Sequence, residues 1–230
     1  MERPYTFINS AMSADGKIST KERKQVRISG SVDFDRMDEL RATSDAVMVG
    51  IGTVLADDPS LTVKSVERRA KRKDSGHEEN PIRIIVDSQA RTPIDADIFK
   101  KGKGTRIIAV SQSAPVERVN ALGNTAVVIV AGENKVDLSE LVVRLKMMGI
   151  NRLMIEGGAS LNFGMLSSGL VDEIYSFVGN LIIGGTSSPT LVDGVGFEEN
   201  EICGLEFVSC DRMDDGVLLK WRVNAAQAFD

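Results

Sequence analysis

Residues Ile150–Leu170 read INRLMIEGGASLNFGMLSSGL, and this stretch decides the fold class. The apolar run Leu153–Ile155 has the length and character of a strand buried on both faces. It ends in a carboxylate, Glu156, followed by the pair Gly157–Gly158. Ala159, Phe163 and Leu166 then recur at helical spacing, and Gly169 stands where a helix C-cap belongs. Strand, glycine turn and helix start together aim backbone N–H groups at an anion, such as a phosphate. The same residues also suit a tight turn whose glycines serve only close strand–helix packing. On this stretch alone both readings stay open.

Upstream the alternation repeats. Tyr5–Met12 begins as a β-rich run, and Ala46–Val49, Pro81–Val86, Thr105–Val110 and Ala126–Ala131 read as further strands. Ser31–Thr43 reads as a helix capped by Ser29 or Ser31, with Asp33 and Asp35 at its positive end and Phe34, Met37 and Leu40 facing inward. Ser113, Pro115 and Gly123 bracket a short helix with Val116, Val119 and Leu122 inward. Asp137-x-x-Glu140 resembles a capping box and opens a helix with Leu138, Leu141, Val142, Leu145 and Met148 on one stripe. Strands alternating with helices imply a mostly parallel sheet covered on both faces. After Asp172 the helical pattern disappears. Asp172–Ile183, Ile202–Cys210 and Gly216–Val223 read as strands, the last two as an antiparallel hairpin. The expected fold is therefore α/β, a mixed, mostly parallel sheet in one domain spanning residues 1–230.

Composition narrows the function classes. Hydrophobic residues make up 42% of the 230 and charged residues 27%, with a net charge of −5. That is an ordinary globular balance with no general affinity for nucleic acid. Lys64–Asn80 carries ten charged residues in seventeen and is expected to be a solvated loop; no aromatic lies among its bases to stack on nucleotides. No apolar run reaches the roughly 20 residues of a membrane helix, and the N-terminus has no secretory apolar region, so a cytoplasmic protein is expected. Cys203 and Cys210, spaced C-x6-C, match no metal or redox motif and read as reduced, partly buried thiols. With one histidine, His77, no zinc site or histidine triad is expected.

Two stretches carry candidate chemistry. Gly50-Ile-Gly52-Thr53 has the first two glycines of a dinucleotide fingerprint, but Leu55 stands where the third should be and Pro59 forbids a long helix. Its glycines still allow close approach of a ligand; the Thr53 hydroxyl can donate to a phosphate, and Asp57 can accept from a sugar hydroxyl or cap the turn. The second is a cluster of small polar groups just past the first strand: Asn9, Ser10, Ser13, Asp15 and Lys17, around an Asp-Gly turn.

Taken together, Asn9-Ser-Ala-Met-Ser13-Ala-Asp15-Gly16-Lys17, Val49-Gly-Ile-Gly-Thr53-Val-Leu-Ala-Asp57-Asp58-Pro59-x-Leu61-Thr62-Val63, Pro81-Ile-Arg-Ile-Ile-Val-Asp87-Ser88, Ile155-Glu156-Gly157-Gly158-x-x-Leu161 and Val171-Asp172-Glu173 resemble the riboflavin-biosynthesis reductase family. The resemblance runs in order along nearly the whole chain. It implies a dihydrofolate-reductase-like fold and reduction of a ribosylamino-pyrimidine phosphate with NADPH, with NADH as the alternative donor. It also implies a homodimer, with the run Tyr175–Ile183 and the late hairpin as candidate interface. Lacking the His/Cys pattern of a fused deaminase, the chain resembles the stand-alone form of archaea and fungi. Its substrate is then 2,5-diamino-6-(ribosylamino)-4(3H)-pyrimidinone 5′-phosphate. By this resemblance the cofactor touches Ala11, Thr53, Asp57, Ser88 and the turn Gly157, Gly158, Ala159, Ser160 and Leu161. Ser88 and Arg91 are placed to meet a 2′-phosphate, which Asp87 would repel if it pointed inward. The substrate set is Asn9, Ser13, Asp15, Arg27, Arg41, Leu61, Lys64 and Glu156, with Arg41 and Lys64 suited to the 5′-phosphate. Lys17 and Glu156 are the ionisable groups expected to do the acid–base chemistry. A pterin or folate reductase of the same fold, and a non-catalytic nucleotide-binding module, remain as the alternatives.

Overall fold

The computed structural model describes residues 2–24 and 26–224. The chain gathers into two compact units: Met1–Pro4 with Met37–Met154, and Tyr5–Arg36 with Ile155–Asp230.

In the first unit β2 (Ala46–Gly50), β3 (Ile82–Val86), β4 (Arg106–Val110) and β5 (Val127–Val130) pair in parallel, each with the next. Runs rich in Val and Ile make these strands because β-branched side chains fit a pleated surface buried on both sides. Ile84, Ile85, Ile107 and Ile108 are fully buried. β5 ends the row, so Val127 and Val130 face solvent. Asp45 fixes the register of β6 (Arg152–Ile155): its carboxylate accepts from the Asn151 and Arg152 N–H groups, and its own N–H donates to the Arg152 carbonyl at 3.0 Å. Arg83, fully buried, donates to the carbonyls of Ile98, Lys101, Gly102 and Lys103 beside α4 (Asp97–Lys100). It is a structural cation; burial first, and Arg106 second, lower it to about 10.

The helices depart from expectation in informative ways. Leu141, Val142 and Leu145 of α6 (Leu138–Met147) are buried as the pattern requires, and Asp137 caps it by accepting from the Glu140 N–H. Glu140 reaches the Gly132 N–H instead of closing the box. In α5 (Val116–Gly123) only Leu122 is buried; Val116 is exposed. The charged stretch expected as a loop contains α3 (Val66–Asp74), capped by the Ser65 hydroxyl, which accepts from the Arg68 N–H. Its buried residue is Arg72, whose guanidinium donates to the carbonyls of Ala42, Ser44 and Glu78. An arginine can face inward when carbonyls replace its water, so apolar periodicity had no signal to give.

The second unit is built on β1 (Tyr5–Ser13), parallel to β7 (Glu173–Gly179), which pairs antiparallel with β9 (Gly216–Val223); β8 (Leu205–Met213) closes the hairpin. The strand expected over Asp172–Ile183 stops at Gly179. Lying between β1 and β9, it buries Ile174 and Phe177. Leu205, Phe207 and Val208 on the edge strand β8 are exposed. Cys203 is half-buried, whereas Cys210, on that edge strand, is exposed. α7 (Ala159–Ser167) follows the glycine pair, and Gly169 takes φ +64° just past its end. Among the described residues no helix is long and apolar enough to cross a membrane.

α1 (Ser31–Ala42) shows the largest departure. The buried side chains are Asp33, Asp38 and Arg41, while Phe34 is 43% exposed. Neither Ser29 nor Ser31 supplies the cap. Asp214, in the β8–β9 turn, accepts from the Val32 and Asp33 N–H groups at 3.2 and 3.0 Å.

Candidate active site

In the first unit three expected substrate residues meet around one turn. Arg41, 7% exposed, sends its guanidinium to the Thr62 carbonyl at 3.2 Å. The Lys64 ammonium donates to the Ser60 and Thr62 hydroxyls at 2.9 and 2.8 Å. Leu61 is buried at φ +52°, a left-handed conformation unusual for a leucine. Desolvation, then the charges of Arg41 and Lys101, lower the Lys64 ammonium below its ordinary value. Cations crowded enough to raise one another's cost form a place where an anion is welcome.

The expected cofactor residues of this unit are spread along strand ends. Thr53 is half-buried on α2 (Ile51–Asp57). Asp57 ends that helix, and desolvation raises its carboxyl. The Ser88 hydroxyl accepts from the Val136 N–H at 3.0 Å, and the Ser88 carbonyl accepts from the Ser111 N–H and hydroxyl. Asp87 is held by the loop that follows β3. Fully buried, its carboxylate accepts from the Thr92 N–H and hydroxyl, both at 2.7 Å, and Arg91 approaches its other oxygen at 3.8 Å.

In the second unit Asn9 is buried, and its amide oxygen accepts from Arg36 at 2.7 Å. Ala11 lies opposite Phe177 of β7. Ser13 and Asp15 build the Asp-Gly turn: the Ser13 hydroxyl donates to Asp15 at 2.6 Å and accepts from the Lys17 N–H at 2.9 Å. Asp15 also accepts from the Ile183 and Gly184 N–H groups at 3.0 and 2.7 Å. The Ser13 bond first, then the backbone bonds, hold its carboxyl at about 2. Arg27 is exposed and lies over the Phe34 ring at 5.6 Å.

Lys17 bridges Thr190, and its ammonium donates to the Ser188 carbonyl at 3.0 Å. It borders a cavity of about 630 Å³ walled by Phe163, Leu166, Ile174, Leu191 and Phe197. The segment Thr186–Gly194 that closes this cavity is tied to α7, Asn162 donating to the Leu191 carbonyl and the Asp193 N–H to that of Ala159. No sequence periodicity marks this segment; the pair Gly184–Gly185 before it, both at positive φ, marks the turn into it.

Glu156 is half-buried at the end of β6, and Gly157 follows at φ +103°. α7 starts without a side-chain cap and carries no acidic residue in its first turn. Space beside Gly157 is open to the width of a methyl group, as it is beside Gly52. A pyrophosphate fits this donor set: backbone N–H groups of Ala159, Ser160 and Leu161 at a helix N-terminus, no opposing carboxylate in that turn, and glycines that leave room.

Residues 4–219 match the family model described as the RibD C-terminal domain. The chain is 48% identical over 222 residues to a protein of Archaeoglobus fulgidus named 2,5-diamino-6-ribosylamino-4(3H)-pyrimidinone 5′-phosphate reductase, covering 96% of this chain and 99% of that one. A Methanothermobacter thermautotrophicus protein of the same name is 49% identical over 197 residues, 86% of this chain and 87% of that one. Among solved structures, the riboflavin biosynthesis reductase Rib7 of Saccharomyces cerevisiae superposes with a TM-score of 0.73 at 23% identity, over 96% of this chain and 90% of that one; this likeness shows a shared fold.

Proposed function

The chain belongs to the RibD C-terminal domain family, and we propose that it reduces 2,5-diamino-6-(ribosylamino)-4(3H)-pyrimidinone 5′-phosphate to the ribitylamino product with NADPH. The observation that carries this reading is the near-full-length identity to two reductases of that name. The pairing of Arg41 and Lys64 about the Thr62 turn supports it, because that pair suits a phosphate dianion.

Ala11, Thr53, Asp57, Ser88 and the Gly157–Leu161 turn hold the cofactor, and Arg91 favours the 2′-phosphate of NADPH over NADH. A bound reduced nicotinamide supplies a hydride. The chain's own groups do the rest. Arg41 and Lys64 anchor the 5′-phosphate, and Asn9 holds the base. Lys17 gives a proton to the ribose ring oxygen as the C1′–O bond breaks and the exocyclic nitrogen lone pair forms the C1′=N bond. Glu156 orients the freed hydroxyls and serves as partner base. The C1′=N bond formed in this way is the acceptor for the hydride that a bound reduced nicotinamide would supply. Acid–base assistance of this kind contributes about 10²–10⁴-fold; positioning supplies most of the remainder.

A homodimer in the cytoplasm completes the proposal, with the exposed Leu205, Phe207 and Val208 of β8 as the surface to cover. The decisive experiment follows loss of reduced-nicotinamide absorbance when the ribosylamino-pyrimidinone phosphate is added. Loss with that compound and none with dihydrofolate supports the reading. Cofactor binding without turnover of any pyrimidine sinks it.

A further inference from the structure

Asp38 is a carboxylate that the chemistry above does not use, yet it is only 5% exposed on the inner face of α1. Burying a charge costs free energy unless its acceptor sites are filled. Here they are. One oxygen accepts from the Lys64 N–H, and the other from the Ser65 N–H and the Arg68 guanidinium, each at 3.1 Å. Arg41 stands three residues further along the same helix, one turn away on the same face. It holds the Thr62 carbonyl of the same segment at 3.2 Å. One helical turn thus grips the backbone at residue 62 through a cation and at residues 64 and 65 through an anion. Just before the first of these fixed points Leu61 sits at φ +52°, and the Lys64 ammonium folds back onto Ser60 and Thr62.

Resting on the phosphate-reductase reading, we propose that Asp38 is a positioning residue. Its carboxylate clamps the Lys64–Ser65 backbone so that the Lys64 ammonium and the Arg41 guanidinium close on one phosphate. Three observations converge on this. The carboxylate's oxygens are filled by backbone N–H groups and by Arg68, so its charge is directed at the segment's scaffold. Among the influences on the Lys64 ammonium, desolvation, Arg41 and Lys101 each outweigh Asp38. Leu61, three residues before the clamped Lys64, holds a left-handed conformation, which persists only where the surrounding structure fixes it.

The test compares Asp38→Ala and Asp38→Asn with wild type in the full chain, using the 5′-phosphate and its dephosphorylated nucleoside. Losing two charge-assisted bonds to the segment should raise KM for the phosphate by about 30-fold in Asp38→Ala. The expected change in kcat is at most about two-fold, and KM for the nucleoside should stay put. Asp38→Asn keeps one acceptor oxygen and should fall between. In a Lys64→Ala background Asp38→Ala should add nothing further. An equal rise in KM for both compounds, or no rise, would overturn the assignment. Stabilisation of the thermal unfolding midpoint by inorganic phosphate gives a readout independent of turnover. It should be present in wild type and lost in Asp38→Ala. Absence in wild type, or equal stabilisation of both, also overturns the assignment. Inactivity of wild type with the substrate would instead refute the reductase reading, leaving this second readout to judge Asp38.

Discussion

The guanidinium of Arg36 donates to the Asn9 amide oxygen at 2.7 Å while Asp33 holds it through Nε at 2.9 Å. An arginine can only donate, so it settles which end of the Asn9 amide faces it. The oxygen turns to Arg36, and the NH₂ group is the donor that the proposed substrate-binding role of Asn9 would use. Asn9→Asp should therefore fold as well as wild type, because a carboxylate satisfies Arg36 better. It loses the donor, however, and KM should rise by about 10- to 100-fold. Steady-state kinetics beside a melting curve checks this; unchanged KM removes Asn9 from substrate recognition.

The cap on α1 comes from the far end of the chain. Asp214→Ala should cost about 1 kcal/mol, lowering the unfolding midpoint by about 2–4 °C. Gly30→Ala should act through the same contact, since a Cβ there would come within 2.4 Å of the Asp214 carboxylate. The two changes together should therefore cost less than their sum. Calorimetry of the two single variants and the double variant tests the coupling; strict additivity would disprove it.

Acid should undo the Asp-Gly turn in a defined window. The Asp15 carboxyl sits at about 2 against an ordinary 3.8. A folded value below the unfolded one means that the contribution is complete above about 3.8 and is lost as pH falls through about 2. The melting-temperature gap between wild type and Asp15→Asn should accordingly be constant from neutral pH down to about 4 and close by about 2. A gap that persists at the acid end would show that the Asp15 charge does not hold the turn.

Lys17→Met should lower kcat by about 10²-fold or more if its ammonium protonates the ribose oxygen. Glu156→Gln should lower kcat as well, with the melting temperature close to wild type because the amide keeps the size of the side chain. Stopped-flow measurement of a single turnover separates the chemical step from product release. A Lys17→Met enzyme within a few-fold of wild type in that step would leave Lys17 as the brace of the Ser188 segment alone.

What the sequence determined by itself was whatever depends on near neighbours. The apolar runs of β2, β3, β4 and β6, the Asp137 cap and the glycine ending α7 were all legible, because a strand's pleat and a helix's ends are set within a few residues. The order of motifs placed the chain in its family, and with it the pairing of Arg41 with Lys64. Tertiary structure alone decided the rest. Asp214 caps a helix some 180 residues away in sequence, α3 turns an arginine inward, and α1 buries Asp33, Asp38 and Arg41 where its sequence offered Phe34. The physical reason is common to all three. Apolar periodicity registers burial against other apolar groups, whereas these charged side chains are engaged by distant carbonyls, N–H groups and counter-charges that only the folded chain brings within reach.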